Sequence, residues 1–133
     1  MIVDYSKLSH EELDALEVEE TLSTDGVWGC MYWERDDRGV AHPCPNGIDD
    51  VVRAYLLERT AVAVDAVDLV WRVSTVFLVN DHNFDIGEPP LLYETLVNFD
   101  GRNDPAERYT TGVAAWRGHQ YIVAEVRAGR WVW

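Results

Sequence analysis

Asp81, His82, Glu94 and His119 are the residues whose types could do chemistry together. Two imidazoles and two carboxylates make a donor set for a divalent cation, and the same set could move a proton as general acid and base. Their spacing matches no metalloprotease, P-loop, nucleophile-elbow or dinucleotide motif. A structural reading of the same residues competes with the chemical one and is the stronger. In it, Asp81 and His82 tie down a loop through its backbone, Glu94 is a buried acid held by Arg72 or Arg108, and His119 fills a tight site left open by Gly118. Ser74 and Thr75 are mid-strand hydroxyls, small and compatible with a β-strand, and are read as such before being read as nucleophiles. Cys30 and Cys44 have neither a CxxC spacing nor a nearby pair of histidines, and both are read as reduced thiols. No catalytic residue, metal or cofactor is expected.

The elements that must position these residues follow from periodicity. Ser9 and Glu12 form a capping box with Leu8 and Leu13 as its hydrophobic staple, which predicts a helix over about residues 10–20. Its apolar side is thin, Leu13 and Leu16 with Val18 beside them, so it is expected on the surface. Residues 27–33 read as a strand, reversed by the turn chemistry of 34–39 towards Val40 and Ala41, and the prolines of 42–45 forbid regular structure. A second helix, from Asn46 to about Glu58, carries Ile48, Val51, Val52, Tyr55 and Leu56 at helical spacing. Strands are predicted over 60–64, 69–79 and 91–97, the last two antiparallel across a loop holding Gly87, Pro89 and Pro90. The final helix, about 111–127, collects Ala115, Trp116, His119, Ile122, Val123 and Val126 in one sector and should pack on the sheet. Together these predict an α+β fold, a small antiparallel sheet of about four to five strands packed by two or three helices. At 133 residues one domain is expected, divided into an acidic N-terminal extension (1–30), a core (31–127) and an aromatic tail (128–133).

One set of residues carries a likeness. Tyr32-Trp33-Glu34-Arg35, the run Val73-Ser74-Thr75-Val76-Phe77-Leu78 leading into Asp81-His82-Asn83-Phe84, then Gly87, Pro89-Pro90-Leu91, Tyr93-Glu94-Thr95, Val97, Arg108-Tyr109-Thr110 and Gly118-His119 resemble a family of small uncharacterised proteins of phages and prophages in high-GC bacteria. The likeness covers about three quarters of the chain, from Met31 onward. Family members have a hydrophobe where Asn98 stands and a Gly-rich loop after the Asp-His pair, which here is more acidic through Asp85 and Glu88. The resemblance implies a phage-encoded accessory protein and no particular reaction.

Charge narrows the function classes. The formal net charge is −13, and residues 1–30 hold eight acids against Lys7 alone. Such a field repels phosphate backbones, so direct nucleic-acid binding is not expected, and a basic protein surface is its natural complement. Solubility is the plainer use of the same charge. No apolar run reaches the length of a membrane span and no apolar stretch follows Asp4, so a cytoplasmic location without membrane association is expected. The leading expectation is a non-enzymatic protein that binds a host or defence protein with a basic surface. Glu11, Glu12, Asp14, Glu17, Glu19 and Glu20 would supply the charge, and Trp131 and Trp133 an apolar anchor, unless that tail docks on the N-terminal hairpin as a short strand. Two alternatives stand beside it: a small metal-dependent or acid/base enzyme using Asp81, His82, Glu94 and His119, and a ligand-sequestering module in a homo-oligomer.

Overall fold

Alternation of apolar residues in the middle of the chain builds one antiparallel sheet, and the last helix covers one of its faces. The computed structural model describes residues 3–27, 30–44, 60–81, 83 and 87–132. Among these, a 3-10 turn at Tyr5–Lys7 leads into α1 (His10–Thr24). Strands β1 (Trp33–Arg35) and β2 (Ala41–Pro43) form a hairpin, and β3 (Ala61–Ala66), β4 (Trp71–Phe77), β5 (Tyr93–Phe99) and β6 (Arg102–Tyr109) form a four-stranded sheet in that order. The closing helix is α2 (Gly112–Arg127). This is the expected α+β class, with a four-stranded antiparallel sheet packed by helices.

Register fixes which side chains face α2. Val73, Thr75 and Phe77 of β4 lie opposite Val97, Thr95 and Tyr93 of β5, and all six are buried. The intervening Arg72, Ser74 and Val76, with Glu94, Leu96 and Asn98, therefore point to the other face. The helix presents Ala115, His119, Ile122, Val123 and Val126 to the inward set, each of them buried as its sequence stripe predicted, whereas Trp116 of that stripe is only partly buried and packs with Val113 on the side of α1. Burial of each such aliphatic side chain is worth about 1.5–3 kcal/mol. Thr111 caps this helix by accepting from the Ala114 N–H at 3.1 Å.

Several expectations are corrected. Regular pairing in the hairpin starts only at Trp33, so Glu34 and Arg35 belong to the strand and the turn is confined to 36–39. There Asp36 Oδ1 accepts from the N–H groups of Arg38 and Val40 at 2.9 and 3.0 Å, which does the work assigned to the whole charged run. Pro43 closes β2 instead of excluding it, because a strand end tolerates a missing donor. Strand β6 was not anticipated, since its sequence is charged and contains Pro105. It is an edge strand, and pairing shifts between Thr95 and Leu96 so that Leu96 meets Pro105, a bulge that accommodates the ring. The helix predicted over 46–58 lies outside the described residues, as do His82, Phe84, Asp85 and Trp133.

The acidic helix is the largest departure. The capping box is present, with Ser9 and Glu12 bonded reciprocally at 3.1 Å, but α1 runs on to Thr24 and buries Leu13, Leu16, Glu20 and Thr24. Leu13 and Leu16 pack with Tyr5, Val40 and Val113, joining the N-terminal segment, the hairpin and the start of α2 in one cluster. This segment is part of the core. Trp131, expected either exposed or on the N-terminal hairpin, instead packs beside Val73, Val97, Ile122, Val123 and Val126 at the opposite end of the sheet.

Candidate functional site

Between α2 and the sheet runs a chain of polar groups. His119 Nε2 lies 2.7 Å from Asp65 Oδ2 on β3, and its Nδ1 lies 2.8 Å from Thr75 Oγ1 on β4. Thr75 Oγ1 is 2.6 Å from Thr95 Oγ1 on β5, and Thr95 is 3.2 Å from the Tyr109 hydroxyl on β6. One side chain from each strand of the sheet thus joins the network. A carboxylate only accepts, so the imidazole donates from Nε2 to Asp65 and leaves Nδ1 to accept the Thr75 hydroxyl. Carboxylate, imidazole and hydroxyl in that order are the parts of an activated nucleophile. Yet Thr75, Thr95 and His119 are all 0% exposed, so no substrate reaches the hydroxyl, and only Asp65 has an open side. The arrangement can hold four strands and a helix in register, which is how a fully satisfied buried network acts.

Gly118 serves this packing in a way the sequence reading misassigned. A Cβ at Gly118 would fall on the ring and hydroxyl of Tyr109, so the missing side chain makes room for Tyr109 and not for His119. Burial raises the pKa of the Tyr109 phenol and keeps it protonated, against a hydrogen bond with Thr95 that lowers it.

A second buried polar group sits where α1, the hairpin and α2 meet. Arg35, 2% exposed, donates to the Tyr5 hydroxyl at 2.8 Å and lies 5.6–5.9 Å from the ring centres of Tyr5, Phe77 and Tyr93. Burial opposes the Arg35 charge, and Tyr93, Tyr5 and Glu20 around it outweigh that and raise its pKa. Burial pushes the Tyr5 phenol up to about 12 and Tyr93 well above its usual value. Glu20, also 2% exposed, accepts from the backbone N–H groups of Gly112 and Val113, the latter at 3.1 Å. Its carboxyl is pushed up to about 7 by burial, against the pull of those two donors and of Arg35. Gly112 has no Cβ to collide with the Tyr5 hydroxyl, which lets the groups close together. Sequence reasoning missed this cluster because its members are scattered over the chain. The one available signal was the buried-type pairing of Leu13 and Leu16 with Glu20 at helical spacing.

Of the residues singled out from sequence, His82 lies outside the described residues, and Asp81, Glu94 and His119 are each engaged elsewhere. Asp81 Oδ1 accepts from the N–H groups of Asn83 and Leu91 at 2.7 and 3.0 Å, tying the two ends of its loop, as the structural reading expected. Val79, two residues before it, is buried at a φ of 68°, a left-handed conformation costly for a β-branched residue. Glu94 is held by Arg108 Nε at 2.7 Å on the face opposite Thr95, so the sheet separates it from His119. Among the described residues no group of three His, Cys, Asp or Glu is placed to hold a metal ion. Of the acids assigned to a partner, Glu20 is buried and closes α2. Glu19 pairs with Arg38, Asp14 lies 2.7 Å from Arg117, Glu17 accepts from Thr111 at 3.4 Å, and Glu12 completes the capping box. Glu11 is exposed.

The outward face of α1 carries two aliphatic side chains. Val18 and Leu22, 62% and 69% exposed, project away from the buried sector of Leu13, Leu16, Glu20 and Thr24. A shallow groove of about 370 Å³ runs over Asp14, Glu17, Val18, Thr21 and Leu22. Among the described residues no helix is long and apolar enough to cross a membrane. No protein-family model, curated protein or solved structure matches the chain.

Proposed function

We propose that this chain works by binding and not by catalysis, as an acidic accessory protein that docks on a basic surface of another protein. The observation that carries this reading is the disposition of charge. The net charge is −13, and residues 1–30 hold eight acids against Lys7 alone, with Asp4, Glu11, Glu12, Asp14 and Asp25 exposed. An unbalanced field of this kind steers association with a surface of opposite sign. The groups that could have served a catalyst are committed elsewhere: His119 to Asp65 and Thr75 in the interior, Glu94 to Arg108 across the sheet. Through its resemblance to small phage and prophage proteins, the natural partner is a protein of the bacterial host or of its defences, met in the cytoplasm.

The test is retention of host protein on the immobilised full chain at low salt, followed by binary binding of the purified partner. The reading expects a defined protein with a basic surface, released steeply as ionic strength rises through the range where the Debye length falls below about 10 Å. Recovery of nucleic acid alone, or of nothing at low salt, would overturn it.

A further inference from the structure

We infer that the outer face of α1, centred on Val18 and Leu22, is the docking surface itself, and that it receives a basic amphipathic helical segment of a partner protein. This rests on the binding role proposed above and names the place and the shape of the contact. At 100° per residue, Leu13, Leu16, Glu20 and Thr24 fall in one sector, and Glu11, Ala15, Val18 and Leu22 fall in the opposite one. The inner sector is spent in the core, with those four residues buried. The outer sector has no such use, yet it keeps two aliphatic side chains one turn apart, 62% and 69% exposed, over a groove of about 370 Å³.

Charge selects the occupant. Glu11, Asp14 and Glu17 line one flank of the aliphatic pair, Asp25 follows it at the C-cap, and Arg117 of α2 offsets one of them through its pair with Asp14. A second copy of this chain would bring another net −13 to the same place, and an apolar centre of two side chains is far smaller than the roughly 800 Å² per partner of a stable dimer. A segment with Lys or Arg flanking an apolar stripe satisfies both the rim and the centre. Leucine-type side chains along one side of a helix settle between residues at i and i+4 of its neighbour, the spacing of Val18 and Leu22.

Two synthetic peptides of about five helical turns separate this proposal from the reading beneath it. One alternates Lys and Leu at helical spacing, and the other replaces every Leu with Ser at the same charge. Each is labelled and titrated with the full chain at low and moderate salt, with fluorescence anisotropy as the readout. The Leu peptide should bind more tightly than the Ser peptide, and the paired substitution Val18→Ser with Leu22→Ser should weaken the Leu peptide by about tenfold while leaving the Ser peptide unchanged. Glu11→Gln with Asp14→Asn should weaken both and flatten their salt dependence. Because Val18 and Leu22 are exposed, the serine variant should keep the melting temperature of the parent. Equal binding of the two peptides, unaffected by the serine pair, would overturn the α1 surface and leave the acidic binding role standing. No binding of either peptide at low salt would overturn both. Self-association by sedimentation, abolished by the serine pair, would show the occupant to be a second copy and overturn the partner named here.

Discussion

Glu20, in the acidic helix, accepts a hydrogen bond from the backbone N–H of Val113, so one helix supplies the cap of the other's first turn. The carboxyl also accepts from Gly112 and lies in the field of Arg35, in a site closed to solvent. An acid near a helix N-terminus interacts favourably with the aligned peptide dipoles, while its burial opposes ionisation. Burial wins, and the group titrates near 7. A folded-state pKa above the unfolded value of 4.5 means that the stability contributed by the protonated form is full below about 4.5 and is lost as pH rises through about 7. Glu20→Gln keeps the size but removes the titration, and its amide cannot accept both N–H groups, so it should cost on the order of 1–3 kcal/mol at pH 5. The gap between parent and variant, read from urea melts, should narrow between pH 5 and pH 8. A gap that widens over that range would mean that the carboxylate is the form the fold prefers.

A thin apolar side and a place in an acidic extension would make α1 dispensable for folding, and the packing of Leu13 and Leu16 against Tyr5, Val40 and Val113 argues the reverse. Leu16→Ala should lower stability by about 2–5 kcal/mol, the range for a buried leucine whose cavity does not collapse. Deletion of residues 1–22 should abolish the cooperative thermal transition, since it also removes Tyr5 from Arg35 and Glu20 from α2. A sharp melt in the truncated chain would show that the core closes without this helix.

The contact between Gly118 and Tyr109 makes a substitution with a specific rescue. Gly118→Ala improves helix propensity by about 1 kcal/mol but drives a methyl group into the Tyr109 ring, and overpacking of that kind costs about 1–3 kcal/mol. The net effect should be destabilising in the parent and should turn stabilising, or vanish, on a Tyr109→Ala background. Equal effects on the two backgrounds, measured as a double-mutant cycle, would separate the glycine from the tyrosine.

The parts of this fold that were legible in the sequence are those with one apolar face. Strands β4 and β5 and helix α2 bury a continuous set of residues, so their periodicity and their antiparallel relation could be read directly. The start of α1 was legible at Ser9 and Glu12, through a local capping pattern. Its core role was not, because apolar residues on opposite sides of the helix cancel, and because Glu20 in the inner sector looks like every other acid of the run. Strand β6 hid behind its charges and Pro105, which an edge position with a bulge tolerates. Among the site residues, the roles of Asp81 and Glu94 could be read from neighbours close in the sequence or on the adjoining strand. The partners of His119 could not, since Asp65 is 54 and Thr75 is 44 residues away and only the sheet register brings them together.

That register makes the last expectation specific. His119 is 0% exposed with both ring nitrogens engaged, so any replacement must satisfy Asp65 and Thr75 at once. His119→Gln offers one donor and one acceptor on a different geometry and should lower stability by about 1–3 kcal/mol. Thr75→Val keeps the shape of the side chain but leaves the imidazole Nδ1 without its partner and the Thr95 hydroxyl with Tyr109 alone, with a similar cost of about 1–3 kcal/mol. The two residues share one hydrogen bond, so their double variant should depart from additivity by about 0.5–3 kcal/mol. Because the imidazole is committed to these two partners, elemental analysis should find the same metal content in His119→Gln as in the parent chain. Strict additivity would deny that the chain of hydrogen bonds acts as a unit. Loss of a stoichiometric metal in the variant would instead make His119 a ligand and return Asp65 and Thr75 to consideration as parts of a reacting centre.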